Sequence, residues 1–138
     1  MKASALADLH ARCFSTRPRP WTEAEFDEYL AATHVTILGD DLGFLVLRVI
    51  APEAEILTIA VDPAHRQQGR GRDLLEEAEK TASTAGATEV YLEVSEANTA
   101  ARRLYAVSGY QETGRRKDYY GAGGRDRETA VVLRKRIA

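Results

Sequence analysis

The spacing of apolar positions changes period several times along the chain, and each change marks an element. In residues 4–14 (SALADLHARCF), Leu6, Leu9 and Cys13 recur at helical spacing with Asp8 and Arg12 off that stripe, which predicts a first helix. Pro18 and Pro20, in the run STRPRP at 15–20, end it because each biases its predecessor away from helix. Thr22-Glu23-Ala24-Glu25 then matches a capping box opening a second helix to about residue 32, with Trp21 and Phe26 at the two positions of a hydrophobic staple. Residues 34–38 and 44–50 are apolar and β-branched around Gly39-Asp40-Asp41-Leu42-Gly43, a hairpin pattern. A turn at 51–53 leads to a third run, 54–61 (AEILTIAV), and three short-turn strands imply an antiparallel meander.

Helical spacing returns at 71–85, where Leu74, Leu75, Ala78 and Ala82 form one stripe that stops at Gly86. Residues 88–94 alternate: Val90, Leu92 and Val94 share one face, Glu89, Tyr91 and Glu93 the other. Following a strand-loop-helix unit, this strand is expected parallel to 54–61 through a right-handed crossover. Asn98 caps a short helix at 99–108, ended by Gly109. Strands at 110–117 and 129–136 close the chain around a Gly-rich tip at 121–127.

The stretch joining the third strand to the third helix carries the clearest chemistry. In Val61-Asp62-Pro63-Ala64-His65-Arg66-Gln67-Gln68-Gly69-Arg70-Gly71-Arg72, Pro63 ends the strand because it cannot donate to a ladder. Gly69 and Gly71 are expected to let backbone amides approach an anion where a helix N-terminus concentrates positive potential. Arg66, Arg70 and Arg72 add guanidinium groups suited to phosphate. A solvated Gly-rich turn has the same short pattern. The Gly-Lys-Ser/Thr of a nucleoside triphosphate loop and the third glycine of a dinucleotide fingerprint are both missing.

Composition narrows the classes. A chain of 138 residues with 44% hydrophobic and 29% charged residues suits one soluble domain, 1–138. No apolar run approaches the roughly 18 residues of a membrane span, and no secretory leader is evident, so a cytoplasmic location and no membrane partner are expected. Cys13 is the sole cysteine and His10, His34 and His65 are scattered, so no disulfide and no metal are expected; Cys13 reads as a small buried hydrophobe or, less simply, a nucleophile. A net charge of −2 gives no reason to expect direct nucleic-acid binding. Residues 1–57 carry five Lys/Arg against nine Asp/Glu, and residues 58–138 carry fourteen against twelve. That fits an anionic cofactor on one side and a cationic substrate on the other, and equally an uneven solvated surface.

Arg66-Gln67-Gln68-Gly69-Arg70-Gly71 resembles, as a full match, the Arg/Gln-x-x-Gly-x-Gly/Ala pyrophosphate loop of the GNAT N-acetyltransferase superfamily. Leu92-Glu93-Val94, Asn98, Ala100-Ala101-Arg102, Leu104-Tyr105, Gly109-Tyr110, Arg115-Arg116 and Tyr119-Tyr120 narrow the likeness to the RimI-type ribosomal-protein-alanine N-acetyltransferases. Cys13-Phe14, Pro20-Trp21, Glu55-Ile56-Leu57 and Ile59-Ala60-Val61 extend it. The resemblance implies an α/β (α+β) fold: a mixed, mostly antiparallel sheet with helices on both faces and a cofactor cleft between two splayed parallel strands. It also implies acetyl-coenzyme A as cosubstrate, held by Arg66 to Arg72 (Gln67, Gln68, Gly69, Arg70 and Gly71 between them), by Asn98 and Tyr105, and by backbone amides of Ile59, Ala60 and Val61.

Aminolysis of a thioester needs a neutral amine, stabilisation of an oxyanion and a proton for the leaving thiolate. The resemblance assigns proton abstraction to Glu93 and donation to Tyr105; spacing alone fits an exposed strand glutamate and a core tyrosine equally well. Asn98 and Tyr105 lie seven positions apart, on one helix face and roughly 10 Å along the axis. Neutralising an α-amine of pKa about 8 at pH 7 costs roughly 1 kcal/mol, against nearly 5 for lysine, which favours a peptide N-terminus. Trp21, Tyr119 and Tyr120 are candidate walls for that peptide, or packing residues. Glu23, Glu25, Asp27 and Glu28 could attract an arginine-rich peptide or simply face solvent. The implied activity is acetylation of the N-terminal alanine of a small-subunit ribosomal protein. The alternatives are a broader N-terminal or lysine acetyltransferase, and a non-catalytic acyl-coenzyme A module.

Overall fold

The computed structural model describes residues 1–14, 20–120 and 128–137. The tip at 121–127 and residues 15–19 of the proline-rich loop lie outside them. The elements run α1 (Ala3–Cys13), α2 (Glu23–Ala31), β1 (Val35–Asp40), β2 (Gly43–Ile50), β3 (Glu53–Val61), α3 (Arg70–Thr84), β4 (Glu89–Ser95), α4 (Thr99–Val107), β5 (Gln111–Tyr120) and β6 (Glu128–Arg136). A one-turn 3-10 helix, Pro63–His65, which periodicity did not suggest, follows β3; the Asp62 carboxylate accepts from the Ala64 amide to start it.

The strands form one six-stranded sheet in the order β1-β2-β3-β4-β6-β5. β1, β2 and β3 make the antiparallel meander, and β3 and β4 are the parallel pair. β4 and β5 both pair antiparallel with β6. The sheet buries two separate apolar layers. On one face Leu45, Leu47, Ala54, Ile56, Val90 and Leu92 meet Leu74, Leu75, Ala78 and Ala82 of α3 and Tyr105 of α4. On the other, Phe44, Val46 and Ala60 meet Leu6 and Leu9 of α1 and Phe26 of α2. Truncating Phe26 or Phe44, both fully buried, costs about 3–5 kcal/mol by the usual measure of such changes.

The capping box at α2 is present in full: Thr22 accepts from the Glu25 amide and Glu25 accepts from the Thr22 amide. The Trp21 and Phe26 rings lie 5.4 Å apart, as a staple requires.

One irregularity decides where the site lies. The β2–β3 register shifts between Val46↔Thr58 and Leu47↔Ile56, leaving Leu57 as the extra residue of a β-bulge. A bulge reverses which residues face which layer. Ala54 and Ile56 belong to the α3 side, whereas Leu57 and Ala60 belong to the α1 side.

Candidate active site

The parallel pairing of β3 with β4 covers only Glu53↔Glu89 to Ile56↔Leu92. Beyond it β3 continues to Val61 alongside β2, and β4 continues to Ser95 alongside β6. The two strands part where the bulge begins. Among the described residues, 57–61 therefore keep a strand neighbour on one side only, and the backbone groups on the other side have no strand to bond. A cleft of about 880 Å³ opens there, lined by Ile59, Ala60 and Val61 of β3, the 65–72 loop, Ser95 and α4. That volume lies within the usual range for small-molecule sites.

The loop supplies donors. Gln67 and Gly69 both have left-handed backbone, φ 62° and 80°, which turns the chain sharply into α3. Gly69 is the N-cap and, having no side chain, cannot cap the helix. The first amides of α3 thus have no acceptor within the helix. Among the described residues nothing stands within 4 Å of where a Cβ on Gly69 would be, so the way to these amides is open on that side. Arg70 Nε is buried without a hydrogen-bond partner among the described residues, His65 Nδ1 lies 3.8 Å from Asp62 Oδ1, and both residues line the cleft. Arg66 Nε donates to the Val61 carbonyl, and Arg72 Nε lies 3.7 Å from Glu76. These donors fit a phosphate-bearing ligand.

Gly71 lines the cleft and also touches α4. A Cβ there would lie 2.9 Å from Leu104 Cδ2 of α4; the missing side chain makes room for helix–helix contact beside the cleft. Gln68 is not among the cleft-lining residues, whereas Arg66, Gln67, Gly69, Arg70, Gly71 and Arg72 are.

α4 forms the opposite wall. Asn98 Oδ1 accepts from the Ala101 amide as the helix N-cap, and Asn98, Ala101 and Tyr105 all line the cleft. Tyr105 is 4% exposed, with its ring edge-on to Tyr110 at 5.9 Å. Tyr105 is therefore both a core residue and a wall of the cleft.

Glu93 stands on the parted segment of β4, one residue beyond the last pair with β3, opposite Val132 of β6. Its neighbours Leu92 and Val94 are buried on the α3 side, so alternation directs Glu93 to the opposite face. There it is 20% exposed and lies 3.3 Å from Arg116. Glu93 is not part of the cleft lining. The sheet separates it from most of that lining, and the gap between β3 and β4 joins the two sides.

Trp21 packs on that second face, stacked on His10 at 5.2 Å and Tyr29 at 4.7 Å. Its amide donates to His10 Nδ1, which leaves His10 Nε2–H to donate to Thr58 Oγ1, each at 3.0 Å. Burial lowers the His10 pKa to about 4, only partly opposed by Glu25, so the ring is neutral near pH 7. This link ties α1 and Trp21 to the parted segment of β3. Tyr119 and Tyr120 end β5, and their side chains lie outside the described residues.

Cys13, Phe14, Ser95, Arg103 and Val107 also line the cleft. Cys13 Sγ donates to the Val61 carbonyl at 3.3 Å. Arg12, one residue before it, pairs with Asp62 at 3.1 Å. The Asp62 carboxyl is held below the usual carboxylate range by the Ala64 amide first, then by Arg12 and His65. Only the packing of α1 against β3 brings these groups together.

A parted parallel pair, a helix N-terminus without a side-chain cap and a tyrosine-bearing helix together line one cleft whose donors fit an extended anionic ligand. A sequence profile of the acetyltransferase (GNAT) family matches residues 3–110. The chain is 34% identical over 119 residues to the [ribosomal protein bS18]-alanine N-acetyltransferase of Escherichia coli K12, covering 83% of this chain and 79% of that one. It is 36% identical over 136 residues to the N-alpha-acetyltransferase RimI of Mycobacterium tuberculosis, covering 92% and 84%. The crystal structure of the ribosomal-protein-S18-alanine N-acetyltransferase from Escherichia coli matches with a TM-score of 0.83 at 29% identity over 99% of this chain and 88% of that one. The chain belongs to the GNAT acetyltransferase family. Within it the chain is an RimI-like N-acetyltransferase.

Proposed function

We propose that the chain, as a single cytoplasmic domain, transfers the acetyl group of acetyl-coenzyme A to the N-terminal alanine of a small-subunit ribosomal protein. The observation that carries this reading is the parting of β3 from β4 above an uncapped helix N-terminus, with Tyr105 on one side of the gap and Glu93 on the other. The amides of 69–72, with Arg66, Arg70 and His65, hold the diphosphate. Asn98 and Tyr105 lie along the arm, and amides of Ile59, Ala60 and Val61 steady it and the oxyanion. The bound donor supplies an activated thioester.

Glu93 takes the proton of the incoming amine, and Tyr105 returns one to the sulfur. Placing the base on the face opposite the cofactor walls lets a peptide approach without crossing the cofactor. Trp21 is assigned to the wall of its approach, with Tyr119 and Tyr120 assigned there from the resemblance alone. A single carboxylate is matched to the roughly 1 kcal/mol needed to neutralise an α-amine and poorly to the cost of a lysine. Thiol release followed by mass spectrometry tests this. Acetylation at the N-terminus of a peptide beginning alanine-arginine, with an internal lysine unmodified, is the expected result; lysine acetylation alone would overturn it.

A further inference from the structure

Glu93 already has a cation. Arg116 Nη2 lies 3.3 Å from Glu93 Oε1, with Arg116 61% exposed and Glu93 only 20%. Arg116 sits two strands away, on β5 opposite Ala130 of β6, while Glu93 is opposite Val132. Gly114 faces Val132 from β5 on the same row as Glu93, and a Cβ there would have none of the described residues within 4 Å. The space above Gly114, beside the Glu93–Arg116 pair, is therefore open to a moving side chain among the described residues. Neighbouring Arg115 pairs on the other side of β5 with Glu112 and Glu96.

An amine arriving as an ammonium ion seeks the same carboxylate that Arg116 occupies. Resting on Glu93 being the base, we propose that Arg116 is a placeholder cation: it fills the ammonium subsite in the free enzyme and swings over Gly114 as the peptide N-terminus enters. Amine binding is then an exchange of one cation for another. The exchange is cheap, because an ion pair with so exposed a partner is weak. It keeps the carboxylate compensated whenever substrate is absent.

The test is calorimetric titration of a peptide with a free N-terminus into the coenzyme A-saturated enzyme, for wild type, Arg116→Gln and Arg116→Lys. Removing the competitor should tighten binding by about 3- to 5-fold in Arg116→Gln, the worth of an exposed ion pair. Arg116→Lys should stay near wild type. The same peptide with its N-terminus already acetylated, carrying no ammonium, should bind both variants and wild type alike. In turnover, Arg116→Gln should lower KM for the peptide while kcat and KM for acetyl-coenzyme A hold. If wild type acetylates the peptide but Arg116→Gln binds it no tighter or more weakly, the placeholder role is wrong and the acetyltransferase reading stands. If wild type acetylates no peptide N-terminus, that reading fails and takes the placeholder with it.

Discussion

The two ends of the β3/β4 pair behave as different objects. At the closed end, Glu53 to Ile56 are laddered to Glu89 to Leu92, and charged side chains bind the strands together on the exposed face. Arg134 of β6 bridges Glu53 at 3.0 Å and also pairs with Glu89, while Glu55 accepts from both Arg48 and Tyr91. At the open end, β3 presents Ile59, Ala60 and Val61 to a cleft, and the Val61 carbonyl bonds a thiol and a guanidinium instead of a strand. Both ends alternate in sequence like any strand. What separates them is a single bulged residue, Leu57. The ladder supplies stability at one end, and its interruption supplies binding at the other.

The contrast predicts graded effects. Glu93→Gln, at the open end, should lower turnover by about 10³-fold while leaving acetyl-coenzyme A affinity intact; equal steady-state rates would remove Glu93 as base. Tyr105→Phe should cost about 10²-fold in kcat with the fold preserved, and an undiminished rate would return Tyr105 to a packing role. Gly71→Val should push Leu104 toward the cleft and raise KM for acetyl-coenzyme A about 10-fold, the scale of a steric insertion. The reading is wrong if calorimetry finds normal affinity.

His10 connects the open end to α1, and its prediction concerns stability. Its folded pKa of about 4 lies below the 6.5 of an unperturbed histidine. The unfolded chain therefore binds more protons between those values, and stability should fall by up to about 3 kcal/mol as pH drops from 6.5 to 4. Urea melts of wild type and His10→Gln would show this as a steeper pH slope in the former between 6.5 and 4; parallel slopes would contradict it. Smallest is the closed end. Arg134→Gln should cost at most about 1 kcal/mol and leave turnover unchanged, and a loss of activity would show that the two ends are coupled.

How much of this was legible in the sequence follows the range of the forces involved. The α2 capping box, the Asn98 cap and the face of Glu93 depend on neighbours a few residues apart, and all three are found as read. The helix expected over 71–85 is found at Arg70–Thr84, whereas the left-handed backbone at Gln67 had no glycine to signal it. The parting of β3 from β4 leaves no signal either, because a bulge adds one residue to a ladder without changing local hydrophobicity. Neither does the role of Gly71, whose missing side chain is filled by Leu104, thirty-three positions on. Cys13 and Phe14 reach the cleft only through the packing of α1, and His10 finds Thr58 across 48 positions. Those contacts are set by tertiary structure and leave no spacing to read.

The central claim is that coenzyme A completes the parted strand pair. Amide hydrogen exchange with and without saturating coenzyme A tests it most directly. Protection should appear at residues 57–61 and 69–72 while 53–56 and 89–92 exchange as before; unchanged exchange at the first two segments, or protection confined to the closed end, would contradict it.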